Sequence, residues 1–283
     1  MGKDYLLLDG ACFEHLPSLL MQLDSSAAPY PLYAGTRYAE LKGLGPWLVA
    51  VAPDGPIART FQREWSVDYG LWLHSSAPQP ELLGHLRSMV HVQLEGAGTV
   101  LFRFHDPKIA KLWFAALGPL ELVQAMGPVQ SICWSKHSGG GADGVRGDFP
   151  FVSRVYSDTP WLTFTIEQME QLSAPKRDQF DRQVLAHVQR FFPDALQALD
   201  ALGRKAWAVA CRASAARYNL TSEAQVFAWA SLYAAFGEHF PEAPEHCSYR
   251  DLLRERGVLP AHRLDNALRK QIRQVYATQA LVS

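Results

Sequence analysis

The feature that most constrains the fold is a change of hydrophobic pattern near the middle of the 283-residue chain. Up to about residue 135, short apolar runs are bounded by Gly, Pro or Asp, which is typical of strands. These runs are residues 5–8, 30–34, 47–52, 71–74, 90–94 and 99–104. From Thr165 onward the apolar residues recur at helical spacing. The pattern predicts an α+β fold in which a mixed α/β sheet lobe precedes an all-helical C-terminal lobe.

Glycine content sets the predicted boundary between the lobes. Residues 136–148 include Ser138 and three consecutive glycines and have hardly an apolar side chain, which is typical of a linker. They lack the glycine-lysine pattern of a phosphate-binding loop. We therefore predict an α/β adaptor lobe over 1–135, a flexible linker over 136–160 and a helical lobe over 161–283. Glycines at 96 and 98 also predict a hairpin, so the sheet should contain antiparallel pairs.

Capping patterns and periodicity predict five or six helices in the C-terminal lobe. Two capping boxes pair Thr165 with Gln168 and Ser222 with Gln225. Left-handed helix ends are expected at Asn219, Gly237 and Gly257. Two apolar stripes are expected to face the core, and they comprise Phe180, Val184, Val188 and Phe191, and then Leu196, Leu199, Leu202, Ala206, Val209 and Ala213.

Composition excludes several classes of function. A formal charge of −1 gives no long-range attraction to nucleic acid or to an anionic membrane, and we interpret the basic stretch 250–273 as a solvated helix face. The four cysteines are far apart in sequence and form no C-x-x-C pair, which favours a reducing compartment and argues against a zinc site. No apolar run approaches the roughly 18 residues of a membrane span. We expect a cytoplasmic protein without cofactor or metal, and with neither nucleic acid nor membrane as a partner.

Residues 101–107 form a predicted strand-to-helix joint. Alternation along a strand would place Leu101, Arg103 and His105 on one face, with Arg103 aimed at a covered surface. Asp106 should cap a helix that begins at Pro107.

Four charged residues lie within or against apolar elements, where an unpaired charge would cost several kcal/mol. They are Asp9, Arg87, Arg103 and Asp106. We interpret them as a structural ion-pair and capping network that fixes the sheet to its helices. The alternative is an anion-binding arginine pocket.

Aromatic residues provide the candidate partner-binding positions. Trp65, Trp72 and Trp161 lie near loop or strand ends, where aromatic side chains can anchor a protein partner. Catalytic patterns are weak by comparison. His74 is followed by two serines, but adjacent residues on a strand face opposite ways, and the histidines at 85, 91 and 105 lack metal-ligand spacing. We predict no catalytic, cofactor-binding or metal-binding residue, and no enzymatic activity.

Several of these segments together resemble the type VI secretion effector chaperone and adaptor family (Tap/TEC-type adaptors), long described as a domain of unknown function. The matching segments are residues 5–11, 31–36, 45–49, 85–87 and 103–107. The family usually has Tyr at the position of His105 and Arg at that of Lys108. Residues 162–168 also resemble the segment just C-terminal to the adaptor domain in such proteins.

The resemblance implies a bacterial cytoplasmic protein that binds one secreted toxin effector. It would help to load that effector onto the spike protein (VgrG), sometimes with its PAAR tip. Two alternatives stay open at this stage. One is a hydrolase that uses His74 or His105 with a serine, and the other is an immunity protein that neutralises a toxin.

Overall fold

The computed structural model describes residues 2–66, 68–136, 142–150 and 152–282. The chain forms two compact units, one ending at Ser173 and the other beginning at Ala174. Within these ranges, none of the helices combines the length and the hydropathy that a transmembrane segment requires.

Two sheets organise the first unit. The strands are β1 (Lys3–Asp9), β2 (Tyr30–Pro31), β3 (Pro46–Val51), β4 (Gly70–Ser75), β5 (His91–Leu94), β6 (Gly98–Leu101), β7 (Ser131–Lys136), β8 (Ala142–Arg146) and β9 (Thr163–Phe164). An antiparallel six-stranded sheet has the order β2-β3-β1-β4-β7-β8, and a second sheet has the order β6-β5-β9. The predicted hairpin is confirmed, because β5 and β6 pair antiparallel around Gly96 and Gly98, which both have positive φ.

The central strand β1 has apolar side chains on both faces of the main sheet. Its alternate side chains enter two different cores, with Tyr5 and Leu7 in one and Leu6 and Leu8 in the other. Both faces of a strand must therefore be covered, which explains the unbroken apolar run. The covering helices are α1 (Leu16–Leu23), α2 (Pro56–Thr60), α3 (Gln79–Ser88), α4 (Pro107–Ala116) and α5 (Pro119–Met126).

The second unit is helical. It comprises the later part of α6 (Ile166–Phe191), then α7 (Asp194–Gln197), α8 (Ala201–Arg217), α9 (Glu223–Phe236), α10 (Cys247–Leu253) and α11 (Pro260–Val282). Both predicted capping boxes are present, one between Thr165 and Gln168 and the other between Ser222 and Gln225. In each box, the backbone N–H of either residue donates a hydrogen bond to the side-chain oxygen of the other. The predicted α+β fold followed by helices is confirmed.

The predicted linker 136–160 requires correction. Strand β8 lies inside it and pairs with β7 in the main sheet. Farther along, the backbone oxygen of Ser157 is 2.9 Å from Nε2 of His91, and the Arg37 N–H donates to the Tyr156 hydroxyl at 3.1 Å. Sheet pairing and side-chain contacts thus include this segment in the first unit. Residues 137–141 and 151 of the predicted linker lie outside the described residues.

The predicted strand 99–104 is too long. Strand β6 ends at Leu101, and the chain then turns, with the Asp106 N–H donating to the Arg103 oxygen at 3.0 Å. Because a turn does not alternate its side chains, Phe104 and the adjacent His105 are both buried while Leu101 is 38% exposed.

The second predicted stripe of the helical lobe is wrong for α8. Leu202 and Val209 are 79% and 44% exposed. The opposite face is buried, through Trp207, Cys211 and Ala215. Trp207 packs edge-on against Tyr233 of α9, and this large aromatic contact determines which face of α8 turns inward.

Candidate protein-binding site

A buried polar cluster joins the end of β1 to the start of α4. Asp9 ends β1 with 3% of its side chain exposed, and its carboxylate forms an ion pair with Arg103. The Ala11 N–H donates to Oδ1 of Asp9 at 3.2 Å, and Nε2 of His105 is 3.6 Å from the same oxygen. The structure therefore brings together two of the four residues of the predicted network, across 94 positions in sequence.

The environment of Asp9 keeps its carboxylate ionised and the neighbouring Cys12 thiol protonated. Burial alone would raise the pKa of Asp9, but His105, Arg103 and the Ala11 N–H lower this pKa to about 2. The Cys12 thiol donates to Oδ2 of Asp9 at 3.5 Å, and partial desolvation of the thiol together with that carboxylate raises the pKa of Cys12 to about 11, although the residue as a whole is exposed. A thiol that stays protonated at neutral pH is a poor nucleophile. These contacts fix the β1 end rather than arranging a reactive centre.

The other two network residues bind backbone. Arg87 of α3 donates from Nε to the Leu32 oxygen at 3.0 Å and from Nη2 to the Pro31 oxygen at 3.3 Å, which fastens β2 to the helix. Asp106 is the N-cap of α4 and accepts the Lys108 N–H at 2.9 Å, ahead of Pro107. Both arrangements are structural capping and anchoring contacts.

Two of the three tryptophans predicted to bind a partner belong to the core, and this prediction is wrong for them. Trp65 is 7% exposed and packs edge-on against Phe13. Trp72 is 2% exposed, packs against Phe61 and donates its indole N–H to Asp4 at 3.1 Å. Trp65 ends a short helical segment, Phe61–Trp65, and Trp72 lies on β4, and both side chains belong to one buried apolar cluster rather than to a surface.

Trp161 differs because it lines an apolar groove in the first unit. Its indole N–H donates to the Ser88 hydroxyl at 3.0 Å, and the Arg154 guanidinium lies over its ring at 4.2 Å. The ring is only partly buried. Two contacts therefore hold an aromatic side chain rigidly at the groove.

The groove has a volume of about 260 Å³ and is mainly apolar. Its walls come from α4, α5, the β9 segment and the first turns of α6, through Leu112, Trp113, Ala116, Leu117, Glu121, Gln124, Trp161, Leu162, Thr163, Phe164, Gln168, Gln171 and Leu172. The two-residue strand β9 is the outer strand of its sheet, with β5 as its one strand neighbour among the described residues. Of these wall residues, the sequence analysis proposed only Trp161 as a binding position, although the predicted helix beginning at Pro107 and the Thr165–Gln168 capping box lie in two of the walls.

The candidate catalytic histidines have other partners. Nδ1 of His74 is 3.0 Å from Oδ1 of Asp4. The adjacent Ser75 is buried and donates to the Pro128 oxygen at 2.7 Å. Neither contact gives the serine–histidine pair of a hydrolase. Among the described residues, no group of three or more His, Cys, Asp or Glu side chains could hold a metal ion.

The fold and groove define a two-unit protein whose N-terminal α+β unit offers an apolar, aromatic-lined concavity beside a sheet edge. Residues 5–124 match the family model described as a domain of unknown function (DUF4123). That match covers β1 to the last turn of α5 and ends before β9. No curated protein and no solved structure matches the chain.

Proposed function

We propose that this protein is a non-enzymatic adaptor that binds a type VI secretion effector in the bacterial cytoplasm and helps to load it onto the spike protein, with or without its PAAR tip. The observation that carries the proposal is the family match over residues 5–124, because that family is associated with such adaptors. The same unit contains the five segments that resemble the adaptors in sequence. Neither nucleic acid nor membrane is part of the proposed role.

The groove supports binding rather than turnover. Its floor includes Trp113 and Phe164, which are nearly fully buried, and Trp161 stands at its wall. Rigid aromatic walls beside an edge strand suit an extended apolar segment, which can pair with the strand and insert alternate side chains. We propose that an effector segment occupies the groove in this way.

The test is co-expression of the chain with the toxin encoded next to it, followed by co-purification. We expect a stable pair and a higher soluble yield of the toxin. Leu112 lines the groove and is 39% exposed. Leu112→Glu should therefore prevent the toxin from co-purifying with the chain. Leu120→Glu is the matched control, because Leu120 is 81% exposed on α5 and does not line the groove.

Two results would contradict the proposal. The toxin and the wild-type chain could elute separately at micromolar concentration. Alternatively, the chain could protect target cells from the toxin, which is the behaviour of an immunity protein and not of an adaptor.

A further inference from the structure

Helix α6 carries the chain from the first unit into the second, because the first unit ends at Ser173 and the second begins at Ala174. A proline, Pro175, lies inside this 26-residue helix, two positions after Ser173. Proline is uncommon in a helix interior, where it removes a hydrogen bond and crowds the preceding turn. The boundary between the units therefore coincides with a helix-weakening residue.

Two features weaken the helical backbone at this boundary. Pro175 has no N–H, so the backbone oxygen of Gln171 loses its helical donor, and the proline ring crowds that oxygen. One turn earlier, the Ser173 hydroxyl donates to the Met169 oxygen at 2.7 Å, a contact that often bends a helix. Sharp bends in helices usually arise at such positions.

Each half of α6 is held by the core of its own unit. Leu172 is 7% exposed and belongs to the core of the first unit. Phe180 packs against the core of the second unit, and Val184 belongs to it. The residues 173–179 between them are all described and contribute to neither core. About two turns of the helix are therefore not fixed by apolar packing.

Ion pairs locate the firm attachment of the second half of α6. Asp178 lies 3.2 Å from Nζ of Lys205, but the two side chains are 45% and 62% exposed, and pairs of this kind contribute little to stability. Asp181 is buried, and it accepts two hydrogen bonds from Arg212 at 3.0 and 3.1 Å. The rigid part of the second half therefore begins near Phe180 and Asp181.

We propose that α6 is a hinge that bends at Pro175, so that the orientation of the two units changes while each unit keeps its own fold. Residues 171–177 absorb the change in backbone angles, as the few residues of a hinge do. The inference does not depend on the adaptor role or on the groove of the first unit.

Double electron–electron resonance on the full chain tests the proposal. One spin label is placed on each unit, through Leu120→Cys and Leu259→Cys, both at exposed positions. Alanine replaces the native cysteines, which are Cys12, Cys133, Cys211 and Cys247. A change of about 20° in the bend moves a point about 20 Å from the proline by about 7 Å. We therefore expect the distance distribution between the units to be broader by about this amount than a distribution within one unit.

Reference pairs within each unit give the width for a rigid body. They are Leu44→Cys with Leu120→Cys in the first unit and Leu202→Cys with Leu259→Cys in the second, and all four positions are exposed. The same pairs show whether a variant keeps the fold of each unit.

Two substitutions in α6 assign the bending to the proline. Pro175→Ala restores a backbone donor and a good helix former, so it should narrow the distribution between the units to the width of the reference pairs. Lys176→Ala is the matched control, because Lys176 is the next residue in the helix and is exposed. It should leave the distribution as broad as in the wild type.

Hydrogen exchange of the unlabelled wild-type chain is an independent measurement that needs no variant. The amides of residues 172–178 should exchange at least about tenfold faster than those in the middle of α8, because a bending segment opens its hydrogen bonds often. The middle of α8 is a suitable reference, since Trp207, Ala208 and Cys211 are buried there.

Four results would each overturn the proposal. The wild-type distribution between the units could be as narrow as the reference distributions. Pro175→Ala could leave it as broad as in the wild type, or Lys176→Ala could narrow it as much as Pro175→Ala does. Equal exchange rates in residues 172–178 and in the middle of α8 would also mean that α6 is rigid at the proline.

Discussion

The Arg103 guanidinium is ion-paired with the Asp9 carboxylate, so the turn before α4 is fastened to the last residue of β1. The side chain of Asp9 is 3% exposed and that of Arg103 is 32% exposed. The pair is therefore anchored by a charge that water cannot reach, and the stability of the first unit should depend on it.

Arg103→Ala should lower the free energy of unfolding by about 3 kcal/mol, at the lower end of the range for leaving a buried charge unpaired, because His105 and the Ala11 N–H still contact Asp9. Chemical denaturation measures this change. Arg63→Ala is the control, since Arg63 and Glu64 form a pair whose side chains are 66% and 58% exposed, and it should cost less than about 1 kcal/mol. If Arg103→Ala lowered the free energy of unfolding as little as Arg63→Ala, the ion pair with Arg103 would not be what stabilises the buried Asp9 carboxylate.

Acid should destabilise the protein below about pH 6.5, the usual pKa of histidine. Burial lowers the pKa of His105 in the folded chain, and Asp9 opposes this effect without reversing it. Between the folded and unfolded pKa values the unfolded chain binds more protons, so the stability falls as the pH falls, by at most about 1.4 kcal/mol per pH unit for one histidine.

Urea denaturation at a series of pH values measures this effect. Replacement of His105 by Gln should reduce the slope below pH 6.5, and the same replacement at the exposed His262 is the control. An unchanged slope in His105→Gln would mean that other groups determine the acid sensitivity.

Two glycines should respond to alanine in opposite directions. Gly127 has a φ of +51°, and a Cβ there would overlap the ring of the buried His85, so Gly127→Ala should destabilise the fold by more than about 1 kcal/mol. Gly84 lies within α3, and the nearest atoms to its Cβ would be at 3.6 and 3.8 Å. Gly84→Ala should therefore stabilise the fold by about 0.5–1 kcal/mol. In thermal melts, the melting temperature should fall for Gly127→Ala and rise for Gly84→Ala. A shift of both melting temperatures in the same direction would contradict the local geometry.

The N-cap of α4 should contribute a measurable part of the stability. Asp106→Ala removes the carboxylate that accepts the Lys108 N–H and should cost about 1 kcal/mol. Asp106→Asn retains an acceptor and should cost less. Equal losses in equilibrium unfolding would mean that the side-chain charge, and not the capping hydrogen bond, is what matters.

The sequence by itself determined the features that depend on neighbours in the chain. Capping by Asp106, Thr165 and Ser222 depends on hydrogen bonds between residues that are two or three positions apart in the sequence. The turn glycines of the β5–β6 hairpin and the helix-ending Asn219 reflect backbone conformation. Such interactions need no information from distant residues, and they were sufficient to predict a lobe with strands followed by a helical lobe, whereas strands β7, β8 and β9 were not predicted.

Tertiary structure alone decided which apolar surfaces are covered. Trp72 is beneath a covering helix while Trp161 lines a groove, although both are tryptophans near the ends of short apolar runs. Leu202 and Val209 of α8 belong to a stripe that is as regular in the sequence as that of a core face, yet both are exposed. The opposite face of α8 is buried, because Trp207 packs against Tyr233. Burial depends on which distant elements meet, and side chains far apart in sequence compete for that contact, so local pattern cannot assign it.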